Sequence, residues 1–148
     1  MSDAVPVDAA PAPVAPALPA VGQTATWTRA VTDAAIRQFA DATGDHNPVH
    51  LDEAAAARTR FGGRIAHGML SAGFVSAAIA TVLPGPGTIY LSQSLRFARP
   101  VRIDDVLTVR LEVLEVMESR RRVRLATVCT NQRDEVVLDG EATVMVPA

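Results

Sequence analysis

Apolar residues along the chain change their spacing as the sequence is followed from one end to the other. Thr24 to Arg29, containing Trp27, reads as a short β-like run. Ile36, Phe39, Ala40 and Thr43 then recur at i, i+3, i+4 and i+7, the pattern of a helix with one face buried. Thr32 stands where an N-cap belongs, Asp33 in the first turn complements the helix dipole, and Gly44 falls where a left-handed C-terminal cap would go. Asp52 to Thr59 is alanine-rich and predicts a second short helix, closed by the turn Phe61-Gly62-Gly63. Met69 to Leu83 has no charged residue and is apolar on every side, which predicts a helix buried all round. Its 15 residues fall short of the roughly 20 needed to span a bilayer, and Pro84-Gly85-Pro86-Gly87 stops it.

From Gly87 onward the period becomes two. Leu107, Val109, Leu111 and Val113 alternate with Thr108, Arg110 and Glu112, and Val136, Leu138, Gly140, Ala142, Val144 and Val146 alternate with a more polar set. These are half-buried antiparallel strands, with Glu118-Ser119-Arg120 and Arg133-Asp134 as hairpin turns. A long buried helix followed by such strands predicts an α+β fold whose sheet wraps the helix.

Composition narrows the setting. At 148 residues the chain suits one domain, expected over residues 23–148, behind an extended, poorly ordered tail of Ala, Pro and Val over residues 1–22 that holds half of the ten prolines. No Lys or Arg precedes Arg29 and prolines interrupt every apolar run of the tail, so it does not read as a secretory signal, and a cytoplasmic protein is expected. A net charge of -2 argues against a nucleic-acid or anionic-membrane partner. The single cysteine, Cys129, cannot form an internal disulfide and alternates with Val123, Leu125 and Thr127, which marks it as a small core residue. Arg120, Arg121, Arg122 and Arg124 read as solvated strand and turn charges before a phosphate patch.

The densest chemistry lies just past Gly44, in Asp45-His46-Asn47-Pro48-Val49-His50, which holds two of the three histidines. Pro48 disfavours a helical Asn47 and removes a backbone donor, so Asp45 to His50 is expected to be a stiff non-helical loop. A carboxylate and an imidazole five residues apart can serve proton transfer at neutral pH, since histidine titrates near 6.5, although a capping interaction or an ordinary surface loop has the same look. A metal held by His46 and His50 is disfavoured, because that spacing needs the continuous helix that Pro48 breaks.

The whole string Thr43-Gly44-Asp45-His46-Asn47-Pro48-Val49-His50, with Ala56 beyond it, resembles the signature of the (R)-specific enoyl-CoA hydratases, the hydratase 2 enzymes of the MaoC-like dehydratase group. The resemblance extends to Ile65-Ala66-His67-Gly68-Met69-Leu70, to Gly87 through Phe97, and to Pro100 before Asp104-Asp105. It implies a hot-dog fold, usually a homodimer, acting on a 2-enoyl thioester of coenzyme A with no cofactor. It also implies that Asp45 and His50 surround the attacking water, that Asn47 orients it, that the Gly68 N–H serves as oxyanion hole, and that Ser76 supports the aspartate. Tyr90, Gln93, Met69 and His67 are the remaining substrate-side candidates, His67 also being placed to pack against or cap the helix start, as Gly68 is to permit close helix packing. His46 stands at a variable position and is expected to be peripheral. Arg58, Arg60, Arg64, Arg96, Arg99 and Arg102 are all available for coenzyme A phosphates. Two rival readings follow from the same fold: an acyl-CoA thioesterase, and an inactive subunit that binds acyl thioesters.

Overall fold

The computed structural model describes residues 16–148, and residues 1–15 of the expected tail lie outside the described residues. Along the chain come β1 (Thr24–Ala30), α1 (Asp33–Thr43), α2 (Pro48–Leu51), α3 (Glu53–Ala57), α4 (Gly68–Thr81), β2 (Ile89–Gln93), β3 (Arg96–Phe97), β4 (Val106–Met117), β5 (Arg122–Thr130) and β6 (Val136–Met145). All pairings are antiparallel, in the order β1-β4-β5-β6-β2, with β3 sharing the β6 edge that β2 also uses. This is the α+β hot-dog arrangement, a sheet curved around α4.

Local chemistry accounts for most boundaries. The Thr32 side chain accepts from Ala35 N, and Gly44 takes the left-handed conformation at φ 81° while its N–H returns to Ala40 O, so α1 starts and stops where its caps dictate. Pro48 begins α2 rather than excluding it. The expected non-helical loop over Asp45 to His50 is corrected here: proline is at home in a first helical turn, Asn47 before it is extended, and the Asn47 side chain caps by accepting from Val49 N. Residues 16–22, expected to belong to the tail, lie against the domain: Leu18 packs on the core, Pro16 O accepts from Arg121, and Gly22 N donates to Val113 O.

The core forms where the inward residues of the long strands, Leu107, Val109, Leu111, Val113, Val123 and Leu125, meet Leu70, Phe74, Val75, Ala78 and Ile79 of α4. Each such aliphatic or aromatic side chain contributes about 1.5–3 kcal/mol by leaving water. Trp27 of β1 meets Phe74 edge-on, with ring centroids 5.8 Å apart. Cys129 is fully buried in this core, and burial pushes its thiol up to about 12. Arg121 binds the carbonyls of Val146, Pro16 and Pro147, and Arg124 pairs with Glu115 and Glu141, so those two strand and turn arginines are structural.

The expectation that the long helix is buried all round is also corrected. Within one chain only one side of α4 is covered; Met69 is 56% exposed and Gly73 and Ala80 are open, beside the half-buried Ala72, Ser76 and Ala77. No helix among the described residues is long and apolar enough to cross a membrane.

Between Gly87 and Phe97 the chain forms β2 and β3, parted at Ser94-Leu95, where it crosses close over Gly140. A Cβ at Gly140 would stand 1.8 Å from the Ser94 carbonyl oxygen. Gly140→Ala is therefore expected to lower stability by about 1–3 kcal/mol, through a backbone shift between β6 and Ser94, read as a lower urea midpoint with an unchanged slope.

Candidate active site

The segment carrying Asp45 and His50 is held by a double clamp to the strand-like stretch before α4. Ile65 N donates to Val49 O at 3.2 Å, and the His50 ring returns the connection through Nδ1–H to Ile65 O at 2.8 Å. Arg64, whose side chain is only 9% exposed, donates from Nε to His50 O at 2.7 Å and pairs through Nη2 with Asp33 Oδ1 at 2.5 Å. Because a carbonyl can only accept, the His50 bond puts the hydrogen on Nδ1 and leaves Nε2 with a lone pair in the neutral ring. Desolvation, the largest influence, holds the His50 pKa below its usual 6.5; the His67 ring works in the same direction, while the Ile65 carbonyl and Asp45 oppose it.

His67 stands at the start of α4, and what its ring touches could not be read from the sequence. It is fully enclosed at the N-cap of α4, its ring stacked on His50 with centroids 3.9 Å apart and tilted against Phe39 at 4.7 Å. Its Nε2–H donates to the Asp45 backbone carbonyl at 3.0 Å, so it holds the aspartate from below. The Asp45 side chain is exposed; Oδ1 accepts from Asn47 N at 3.2 Å, a local turn that leaves Oδ2 free. One donor atom from each of Asp45, His50 and His67 lies within 4.8 Å of the others. A metal could use such a trio, but each histidine has one ring nitrogen already engaged with a carbonyl, and the remaining lone pairs equally suit the hydrogens of a water molecule.

These residues open onto a cavity of about 410 Å³ whose lining includes Asp45, His50, His67, Gly68, Ser71 and Phe97. Gly68 starts α4, and its N–H has no hydrogen-bond acceptor among the described residues. A Cβ at Gly68 would stand 2.6 Å from the Phe97 ring, which is 53% exposed, so that ring would have to move aside for any other residue here.

Other candidates fall elsewhere. Ser76, expected to support the aspartate, lines a separate open groove of about 390 Å³ with Tyr90, Gln93 and Gly73; Met69 alone borders both spaces. Six residues and nearly two helical turns separate Met69 at the cavity from Ser76, which is why one chain does not bring Ser76 beneath Asp45. Tyr90 donates its hydroxyl to Gln93 Oε1, and Gln93 Nε2 donates to Thr127 Oγ1 and Ser94 O, so the two form one network; burial pushes the Tyr90 phenol up to about 12. Asn47 is occupied as the α2 cap. His46 points outward to Asp41, which raises its pKa. Of the arginines, Arg64, Arg99 and Arg102 donate to neighbouring carbonyls and Arg96 pairs with Asp139; Arg60 and Arg99 line the cavity.

A sheet wrapped around one helix, with an aspartate and a histidine meeting in a cavity at the helix start, defines a dehydratase-type hot-dog domain. Residues 17–136 match the MaoC like domain, and the chain belongs to that family. A 3-hydroxybutyryl-CoA dehydratase from Methylorubrum extorquens is 53% identical over 127 residues, spanning 86% of this chain and 80% of the relative. An (R)-specific enoyl-CoA hydratase from Rhodospirillum rubrum is 48% identical over 127 residues, with 86% and 88% covered. Among solved structures, the R-hydratase PhaJ1 from Pseudomonas aeruginosa in the unliganded form matches with a TM-score of 0.82 at 57% identity, covering 86% of this chain and 82% of that one.

The depressed His50 pKa has a signed consequence. Below the ordinary value of 6.5 the unfolded chain binds more protons at this site than the folded one, so this contribution to stability is complete above 6.5 and is lost as pH falls through the folded value. Wild type is expected to lose more stability than His50→Gln between about pH 7.5 and about pH 5.5, compared by urea midpoints at both. Arg64→Ala is expected to slow turnover by about 10- to 100-fold with the fold retained, checked by initial rates and circular dichroism, because it frees His50 O and Asp33 together.

Proposed function

We propose that this chain is a hydro-lyase that interconverts trans-2-enoyl-CoA and (R)-3-hydroxyacyl-CoA, with Asp45 and His50 as its acid-base pair. The single observation carrying this reading is the convergence of the Asp45 carboxylate and the His50 ring on one cavity that also contains the start of α4. Family membership and the names of the relatives support the same reaction.

A water bound between Asp45 Oδ2 and His50 Nε2 gives up a proton as its oxygen forms the bond to the β-carbon. Electron density moves through the conjugated system to the thioester oxygen, which takes a hydrogen bond from the Gly68 N–H at the positive end of α4. The α-carbon is then protonated by the same pair, so the water is added whole and no redox partner or cofactor enters. Keeping His50 neutral by burial suits it to accept a proton near pH 7, and acid-base assistance of this kind is worth on the order of 10²- to 10⁴-fold. Asn47 acts through the shape of the loop, capping α2 with Asp45 on one side and His50 on the other. Arg60 and Arg99 are the cations best situated to meet coenzyme A phosphates at the cavity mouth.

A second copy of the chain completes the reading. The open face of α4 adjoins β2, an edge strand exposing Ile89 and Leu91 at 44% and 43%, and an uncovered apolar edge of this kind calls for a partner. A homodimer formed there would enclose the groove holding Ser76, Tyr90 and Gln93. A cytoplasmic setting accompanies the coenzyme A thioester.

Loss of the conjugated enoyl absorbance with crotonyl-CoA tests the reaction, with chiral analysis of the product. Wild type is expected to give the (R)-alcohol, and Asp45→Asn and His50→Ala to fall by about 10²- to 10⁴-fold. Release of free thiol instead would establish a thioesterase, and tight acyl-CoA binding without turnover a binding subunit. Leu91→Asp is expected to convert a dimer to monomers in sedimentation; an unchanged mass would remove the β2 edge from the interface.

A further inference from the structure

Two buried polar atoms beside the acid-base pair have no hydrogen-bond partner among the described residues: His67 Nδ1 and Ser71 Oγ. Both residues are 2% exposed and both line the cavity shared with Asp45 and His50. They are four residues apart, the N-cap and the second turn of α4, and therefore lie one above the other on one helix face. A helical serine usually satisfies itself on the carbonyl four residues earlier, which here is that of His67; Ser71 makes no such bond, and His67 O accepts from Leu70 N instead. Nor do the two side chains bond each other.

Their chemistries are complementary. Because His67 Nε2–H is used on the Asp45 carbonyl, Nδ1 of the neutral ring is an acceptor, whereas a hydroxyl can donate or accept. One water molecule, needing about 30 Å³, satisfies both by donating to Nδ1 and bonding Ser71 Oγ, and the adjoining cavity of about 410 Å³ admits it. We infer that Ser71 and His67 Nδ1 hold an ordered water in the cavity wall, and that Ser71 is thereby a positioning residue for the reaction. The water holds Nδ1 and so fixes the rotation of the His67 ring, whose tautomer the Asp45 carbonyl already sets. That ring carries Asp45 through its backbone carbonyl and supports His50 by stacking, so both members of the pair depend on it. The kinetic consequence rests on the hydratase reading; the water site does not.

Threonine and valine have the same shape and differ in the hydroxyl, so Ser71→Thr and Ser71→Val separate hydrogen bonding from packing. Ser71→Thr is expected to stay within about threefold of wild type relative to its own folded fraction, and Ser71→Val to lose about 10- to 100-fold in kcat with KM little changed. Nitrogen-15 spectra of the imidazoles should show the His67 Nδ1 resonance at a hydrogen-bonded acceptor position in wild type and Ser71→Thr, and displaced toward the free-acceptor position in Ser71→Val. A crystal structure of the whole wild-type chain should show an oxygen within hydrogen-bond distance of both Ser71 Oγ and His67 Nδ1, missing in Ser71→Val. Equal rates and equal Nδ1 resonances in the two variants overturn the positioning role, and the absence of that oxygen in wild type overturns the site. Should Ser71→Thr fail to fold, wild type against Ser71→Ala decides by the same Nδ1 resonance and density. Should wild type not hydrate enoyl-CoA at all, the hydratase reading fails, while the Nδ1 resonance and density still decide the water.

Discussion

The arrangement rests on one physical constraint: the backbone at Val49-His50 is fastened to the backbone at Arg64-Ile65. Two bonds between these segments use main-chain or ring donors, and a third comes from Arg64, which simultaneously reaches Asp33 at the start of α1. The helices before the cavity and the strand-like stretch leading into α4 are thereby made one body. Without that fastening α2, a single turn, would have little to hold it, since so short a helix cannot sustain itself in water. The same bonds that position His50 also select its tautomer and bury it. Geometry, hydrogen placement and proton affinity at this residue are therefore three results of one local structure.

From that point the α4 start acts as a shared origin. His67 occupies its N-cap and supports Asp45 and His50, while Gly68 begins the helix proper and admits the Phe97 ring. Asp45, His50 and a backbone donor unsatisfied among the described residues are thus referred to the same turn of one helix, whose buried face is anchored in the sheet. The precision of the site derives from the rigidity of α4 in its wrapping of β-strands.

Much of this was legible in the chain because it is written locally. Thr32 and Gly44 delimit α1 through bonds to atoms within a few residues, and the two-residue period of β4 and β5 needs only a sheet with one buried face. What escaped local reading depends on packing. Pro48 reads as a breaker until Asn47 is seen to cap the turn that Pro48 begins. The uncharged stretch after Met69 reads as a helix buried all round because sequence does not distinguish cover by the same chain from cover by another surface. Ser76 carries the resemblance yet opens onto the groove, whereas Ser71, five residues nearer the helix start, opens onto the cavity. The signal for Ser71 was its spacing of four from His67, which means nothing until His67 is known to be buried. Arg64 was one of six arginines, and only the fold distinguishes an arginine that ties two segments from one that meets solvent.

The enclosure of Cys129 within the β-sheet core has a practical consequence. Its thiol is fully buried and held up to about 12, so at neutral pH it offers almost no thiolate to an alkylating reagent while the sheet stays closed. As the chain's single cysteine, it gives any modification a unique address. Labelling therefore requires opening of the β4–β5–β6 region, and the rate at which a colorimetric disulfide reagent develops colour becomes a clock for that opening. The molecule contains its own unfolding reporter, with which variants of the site can be compared without an engineered label.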